Sequence, residues 1–530
     1  MRESLFAVTI TAGTMLGLCA PSLAQENADQ KLGTVHFSTS CNETAQRRFD
    51  RAMRYQHSFW YTESKEIYEE TLKADPECAI AYWGIALSLL SNPHSPVPAP
   101  NLPLGLAAIE KAKATGAKTQ RERDYVGAIE MFYKDADKID HRTRALAYRQ
   151  AMEQLAARYP EDREAAVFYA LALNATALPT DKTYADQLKA AAILEKVFAA
   201  EPQHPGVAHY LIHSYDYPPI AEKGLNAARR YASIAPAAPH ALHMPSHIFT
   251  RRGYWQESIE ANRASASSVG SHFDRLHALD YLTYAYLQMA QDGAAKGVVD
   301  QVSEIPKVAV EHFVTAFALA TIPSRYALER GRWADAAKLE LFGREFPWGR
   351  FPQSEAQLVF ARGLGAARGG DVASARRDVE RLGALRDTLA ASKVGYWAEQ
   401  VDIQRQVASA WVARAEGRTE EALALLRAAA DREDATEKHP VTPGPIAPAR
   451  ELLAEMLLEA NEPAQALREF EASMRVEPNR FRGLYGAARA ADLSGDRTKA
   501  RTYYSTLLSL GEKADTERPE LRQAKAFLGR

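Results

Sequence analysis

The sequence predicts an all-α solenoid of about twelve antiparallel helix pairs, and three observations carry that prediction. Small and aromatic residues recur at fixed offsets, a proline closes one pair after another, and two stretches match at a constant separation. In a stacked array each unit packs only on its neighbours, so a chain of 530 residues needs no single wide core.

From Pro239 through Pro245 to Gly253, Trp255 and Ser258, small and aromatic residues fall where two antiparallel helices must approach closely, with the turn at Gly253. The same grammar returns as Ala79, Tyr82, Ile85 and Ala86 after Asp75-Pro76, and as Leu484, Ala488, Gly495, Ala500 and Tyr504. Pro76, Pro160, Pro202, Pro236 and Pro478 stand near the ends of second helices. Proline has no amide proton and cannot continue a helix, so each ends one unit and opens the next. Met244-Pro245-Ser246-His247 with Gly253 and Trp255 is matched by Ile322-Pro323-Ser324-Arg325 with Gly331 and Trp333, always 78 residues on. That separation is two long units, with one further pair around Leu276 to Val299 between them. Pro245 and Pro323 fall inside first helices, where they predict either a kink or a late helix start.

These positions resemble the tetratricopeptide repeat, a unit of roughly 34 residues with a helix A and a helix B. The resemblance runs from near Thr44 to near Gly511, followed by a final helix around Glu520 to Leu528. It implies a right-handed superhelix whose A helices line a concave binding surface. The chain looks similar to exported bacterial tetratricopeptide proteins of unassigned activity, so the resemblance implies a groove for a protein, peptide or ligand and no particular reaction.

Residues 1–24 have the layout of a cleavable secretory signal: Met1-Arg2, an apolar run from Leu5 to Cys19, then Ser22-Leu23-Ala24 before Gln25. A periplasmic or secreted protein cut after Ala24 is expected. Leu18, large where a small residue is needed before a lipidated cysteine, argues against an anchor at Cys19. No run reaches the roughly 20 apolar residues of a transmembrane helix. With 65 basic and 67 acidic residues the net charge is -2, so no long-range field draws nucleic acid or an anionic membrane.

The rest divides into a lead-in at 25–43, pairs at 44–203 with a proline-rich insertion at 92–103, and central pairs at 204–346. Further pairs occupy 347–434, a proline-rich loop 435–446, and the last pairs and final helix 447–530. Prolines this dense exclude helix from both interruptions, which are expected to fold over the surface; the second reads as a linker, with a lid over the groove as the alternative. Cys41 and Cys78 precede successive A helices at similar heights, so a disulfide between them is expected, with two buried free thiols as the alternative.

Of 14 histidines, His204, His209, His213, His240, His243, His247, His272 and His277 crowd a stretch where an even spread would put about two. His209 and His213 are four apart, as are His243 and His247, so each pair lies on one face of its A helix. Counted from Pro205 and Pro239, both pairs occupy the fifth and ninth positions, which by the resemblance line the concave surface. His277, Asp280 and Tyr284 repeat the spacing of His240, His243 and His247, and Thr321 and Arg325 continue the rows.

Imidazoles projecting from neighbouring helices can converge on one ion, so His209, His213, His243 and His247 are the expected ligands of a transition metal, zinc, copper or iron. His240, His277, Asp280, Tyr284 and Arg325 are expected to line the groove beside them. A metal-free ligand or peptide groove and plain packing are the alternatives. His36, His57, His94, His141 and His312 are scattered and read as ordinary surface or packing residues. Gly363-Leu364-Gly365 with Gly369-Gly370 is no dinucleotide loop, because it crosses a helix and has Arg368 at the third required glycine. Three functions follow: a scaffold holding a protein partner, a metal-binding protein, or a metal-dependent enzyme with Asp280 or Tyr284 as acid or base.

Overall fold

Proline sets the rhythm of the chain. Second helices end at Ala74, Arg158, Ala200, Ile234 and Val476, and in each case the proline expected to close the unit follows two residues later. The computed structural model describes residues 31–529 apart from 269–271, 306, 309–310 and 344; residues 1–24, expected to be a secretory signal, and Cys19 among them lie outside these. Among the described residues the regular structure is helical. Twelve helix pairs run from Glu43–His57 with Tyr61–Ala74 to Phe481–Leu493 with Arg497–Leu510, and Pro519–Leu528 closes the array. We number the pairs 1 to 12. The chain is a solenoid of stacked antiparallel helix pairs, and among the described residues no helix is long and apolar enough to cross a membrane.

The units stack because glycine on one helix receives an aromatic ring from its neighbour. A β-carbon at Gly84 would stand 2.4 Å from the Tyr68 ring, and one at Gly486 would stand 2.1 Å from Phe470. Tyr68 and Phe470 are fully buried in these contacts, each stabilising its interface by about 1.5–3 kcal/mol.

The two internal prolines behave differently. Pro245 divides the first helix of pair 6 into Pro239–His243 and Pro245–Arg251, joined through Met244 in helical geometry, and the His247 amide donates to the Met244 carbonyl at 3.1 Å. Pro323 lies within the continuous helix Phe313–Glu329. Both helices begin well before their proline, so a late start is excluded. The insertion at 92–103 needs a smaller correction, because helix Asn101–Thr115 already includes Leu102 and Pro103. Proline is tolerated there because first-turn amides have no partner within the helix.

The superhelix is wound tightly enough for distant units to touch. At the front, the lead-in runs extended across several units: the Ala237 amide donates to the Lys31 carbonyl at 3.2 Å, and the Thr34 amide to the Gln203 carbonyl at 2.9 Å. Ser40 donates through its amide and its hydroxyl to Glu122, both at 2.7 Å. Cys41 and Cys78 are joined in a disulfide with Cα atoms 5.0 Å apart, which ties the lead-in to pair 2.

At the other end, the C-terminal units fold back on pairs 6 and 7. The Trp255 indole donates to the Asn479 carbonyl at 2.7 Å, and Asp515 accepts the amides of Gly293 and Ala294 at 2.9 and 2.8 Å. Arg480 is buried between Tyr284, at 2.6 Å, and Glu329, at 2.5 Å. This winding turns the concave face into a second interior.

Gly253, the predicted turn of pair 6, has φ +64, and a β-carbon on it would meet the Pro478 carbonyl at 2.5 Å. Gly253→Ala is therefore expected to cost about 1–3 kcal/mol from backbone strain and the forced separation of the two turns. Thermal unfolding checks it, and an unchanged transition would show that the turns do not meet.

Candidate metal centre

Three consecutive A helices present the histidines: Pro205–Tyr215 of pair 5, the divided helix of pair 6, and His272–Gln288 of pair 7. The four expected ligands do not converge on one point. They separate into two groups, His209 with His213 and His240, and His243 with His247 and His277, whose ring nitrogens in each group lie within 4.8 Å of one another. Each group combines an i, i+4 pair on one helix with one histidine from the next A helix, His240 or His277. His240 and His277 thus belong to the clusters themselves. The rings of His213 and His247 lie 6.1 Å apart between the groups. The side chain of His272 is outside the described residues.

Hydrogen bonds on the far side of His209, His243 and His247 decide which of their nitrogens carries a proton. In the second group, His247 Nδ1 lies 2.9 Å from Asp216 Oδ2, and His243 Nδ1 lies 2.7 Å from Asn262 Oδ1. The Asn262 amide nitrogen is engaged by the Ser258 carbonyl at 2.7 Å, which turns its oxygen toward His243. Both acceptors require a proton on Nδ1, so both Nε2 atoms are bare, and they face each other at 3.1 Å.

In the first group, His209 Nδ1 donates to the His57 carbonyl at 2.8 Å. Its bare Nε2 stands 3.1 Å from Nε2 of both His213 and His240. One lone pair cannot satisfy two such neighbours by hydrogen bonding. Nitrogens about 2.0–2.1 Å from a common ion lie roughly 3 Å from one another, so both arrangements fit a shared cation.

Burial keeps the rings neutral. It pushes His209 down to about 3, and burial followed by repulsion from the other rings holds His213, His240, His243 and His277 well below their ordinary value. Neutral imidazole with a free lone pair is the form that binds metal.

Around the rings lies a second layer that sequence reading did not assign. Asp216, just past the end of the pair 5 helix, receives His247, the Arg251 Nε at 3.1 Å and the Lys438 ammonium at 2.7 Å. Burial alone would raise this carboxyl, but Lys438, His247 and Arg251 together hold it below its ordinary range. Burial brings Lys438 down to about 8 against the pull of Asp216.

The loop at 435–446 is consequently a strap rather than a plain linker. Lys438 meets Asp216, the Tyr281 hydroxyl donates to the Thr442 carbonyl at 3.0 Å, and Arg325 donates to the carbonyls of Gly444 and Pro445 at 2.7 and 2.9 Å. The other interruption also reaches the site. His94 brings its ring within 4.7 Å of His213, and its Nε2 is buried without a protein partner.

Asp280, Tyr284 and Arg325 do not line an open groove. Asp280 accepts from Thr321 at 2.8 Å and Arg325 at 3.3 Å, and the Arg325 guanidinium lies 4.7 Å over the Tyr284 ring. All three are buried, because the tight winding and the strap close the space they were expected to face.

A third cluster involves His57, which sequence reading treated as isolated. Glu164 lies between His57 Nε2, at 3.0 Å, and His204 Nε2, at 2.7 Å. His204 Nδ1 accepts the Val207 amide at 3.2 Å as a helix cap, so its Nε2 carries the proton given to Glu164. This cluster is closed by its own hydrogen bonds. It positions the His57 carbonyl, which orients His209, and Gly206 makes room for it: a β-carbon there would lie 2.3 Å from His57 Nδ1.

No family model and no curated protein matches the chain. Solved structures resemble it distantly. The structure of Naa15/Naa10 bound to HypK-THB is 13% identical, with 92% of this chain and 74% of that chain covered and a TM-score of 0.25. The crystal structure of the APC/C hetero-tetramer Cut9-Hcn1 is 13% identical over 86% and 78%, with a TM-score of 0.34. A human IFIT1 dimer with m7Gppp-AAAA is 12% identical over 82% and 90%, with a TM-score of 0.37. Likeness at these values says nothing about the histidines, and the fold rests on the helix pairs themselves.

Asp216→Ala would strand two buried cations and is expected to cost about 3–5 kcal/mol, part of which Lys438→Met in the same chain restores. A double-mutant cycle in denaturant measures the coupling. Strictly additive losses would mean that Asp216 does not hold the strap.

Proposed function

We propose that this chain is a metal-binding protein of an exported compartment, with one transition-metal ion held by each three-histidine group. The observation that carries the reading is the pair of proton-free Nε2 atoms of His243 and His247 facing each other at 3.1 Å. Without a cation between them, two buried lone pairs repel at that distance. Neither group contains a carboxylate, which favours copper or zinc over harder ions. Asn262, Asp216 and the His57 carbonyl are the outer partners that orient metal-bound imidazoles.

Two features support export: the signal-like residues 1–24 and the Cys41–Cys78 disulfide, a bond that persists in oxidising compartments.

A metal-dependent enzyme is the second reading, favoured by the three protein ligands of each group, since a fourth position left open is the mark of catalytic zinc. Asp280 and Tyr284 are poor candidates for its acid or base, being committed to Arg325 and Arg480. His94 and Tyr281 are nearer the rings.

Elemental analysis of the mature protein should find two equivalents of copper or zinc. His243→Ala with His247→Ala should remove one, and His209→Ala with His213→Ala the other. Glu164→Gln should leave both, because its cluster is closed. Metal added to the metal-free protein at a hundredfold excess over its Kd should stabilise the fold by about 2.7 kcal/mol for each site filled. A metal-free protein whose melting is indifferent to copper and zinc would sink the proposal.

A further inference from the structure

The two three-histidine groups adjoin each other. Their rings form a closed circuit, with centres 4.9 Å apart from His209 to His213, 6.1 Å from His213 to His247, and 5.0 Å from His247 to His243. It returns over 6.1 Å from His243 to His240 and 4.8 Å from His240 to His209. His277 adjoins this circuit, its ring 4.3 Å from that of His243. An ion bonded to an imidazole nitrogen at about 2.0–2.1 Å lies roughly 3 Å from the ring centre, so ions in the two groups would stand no more than about 13 Å apart.

No anionic ligand balances the charge of such a pair. All six ligands are imidazoles, and among the described residues no cysteine or carboxylate joins either group. Asp216, the carboxylate that meets one of these rings, is already paired with Lys438 and Arg251. Five of the six rings are buried and His240 is half-buried. Aromatic rings pack against them, Phe59 at 4.3 Å from His209 and 5.3 Å from His240, Tyr281 at 4.7 Å from His243 and 4.8 Å from His247. Salt screens charges in such surroundings far less than at a surface. Two divalent ions repel each other four times as strongly as two monovalent ions at the same separation. A penalty that weakens the second monovalent ion about tenfold therefore weakens a second divalent ion about ten-thousandfold.

Ligand number points the same way. Each group offers three nitrogens, whereas zinc and cupric copper ordinarily take four or more ligands. Cuprous copper, singly charged, is complete with three. Resting on the reading that each group holds an ion, we infer that the six histidines form one paired site for two cuprous ions. The same pair discriminates by charge, admitting one zinc or cupric ion and opposing a second.

Anaerobic titration of the metal-free mature protein tests it, with cuprous copper delivered from its coloured bicinchoninate complex and zinc from a buffered solution. Two cuprous ions are expected, the second within about tenfold of the first in Kd, whereas the second zinc should be at least about hundredfold weaker than the first. His240→Glu places an anionic ligand at the half-buried edge of the circuit and should bring the second zinc at least about tenfold closer to the first. Melting of the metal-free variant shows that it folds. Two zinc ions of matched affinity would bear out the metal reading and overturn this one. So would a single cuprous ion per chain, or an unchanged ratio between the two zinc affinities in a folded His240→Glu. A protein that takes up neither metal removes both readings.

Discussion

The buried carboxylate of Asp216 is the point on which the centre of this molecule depends. It ends the helix that carries His209 and His213, accepts the outer nitrogen of His247, and holds Arg251 and the strap residue Lys438. Taking such charges out of water costs several kcal/mol per ion, offset only where the geometry satisfies them. Around Asp216 the charges compensate one another across three parts of the chain. The helix end, the pair 6 helix and the strap must therefore arrive together, which makes an electrostatic requirement into a constraint on the shape of the solenoid.

That shape is tighter than a generic concave groove. Small residues on the inner helices, among them Ala208, Ala241, Ala278 and Ala320, are fully buried and let the turns close. Phe59 adopts φ +61 with its ring 4.3 Å from that of His209, so strained backbone is accepted where the first unit packs on the histidines. The result is an interior polar core, enclosed by two irregular segments that would be surface loops in a straighter array. A peptide laid along such a solenoid would meet the strap before it met an imidazole. Buried polar networks of this kind hold one arrangement when every member is satisfied.

Local chemistry was readable far better than its assembly. The i, i+4 histidine pairs follow from helical geometry alone, and so does their placement on successive A helices. The pairing of each with His240 or His277 was hidden, because it depends on how far one A helix slides past the next. Asp216, Lys438, Glu164 and His57 left no signal. The Asp216 to Lys438 contact joins residues 222 apart and the His57 to Glu164 contact joins residues 107 apart, distances over which no sequence period operates. Asp280, Tyr284 and Arg325 show the converse. Their spacing put them correctly on the inner face, yet that face had become an interior where they bind each other and the strap.

By itself, then, the sequence determined the helix pairs, their number, the prolines that end them and the concentration of imidazole on three neighbouring helices. These are consequences of backbone sterics and of periodicities that operate within a few turns. Only the tertiary structure decided that the histidines form two clusters rather than one, that a proline-rich loop covers them, and that the lead-in and the last units pack back on the central pairs. Each of those outcomes depends on the small rotation between successive pairs. Summed over twelve units, that rotation is set by many packing contacts at once and by no single residue.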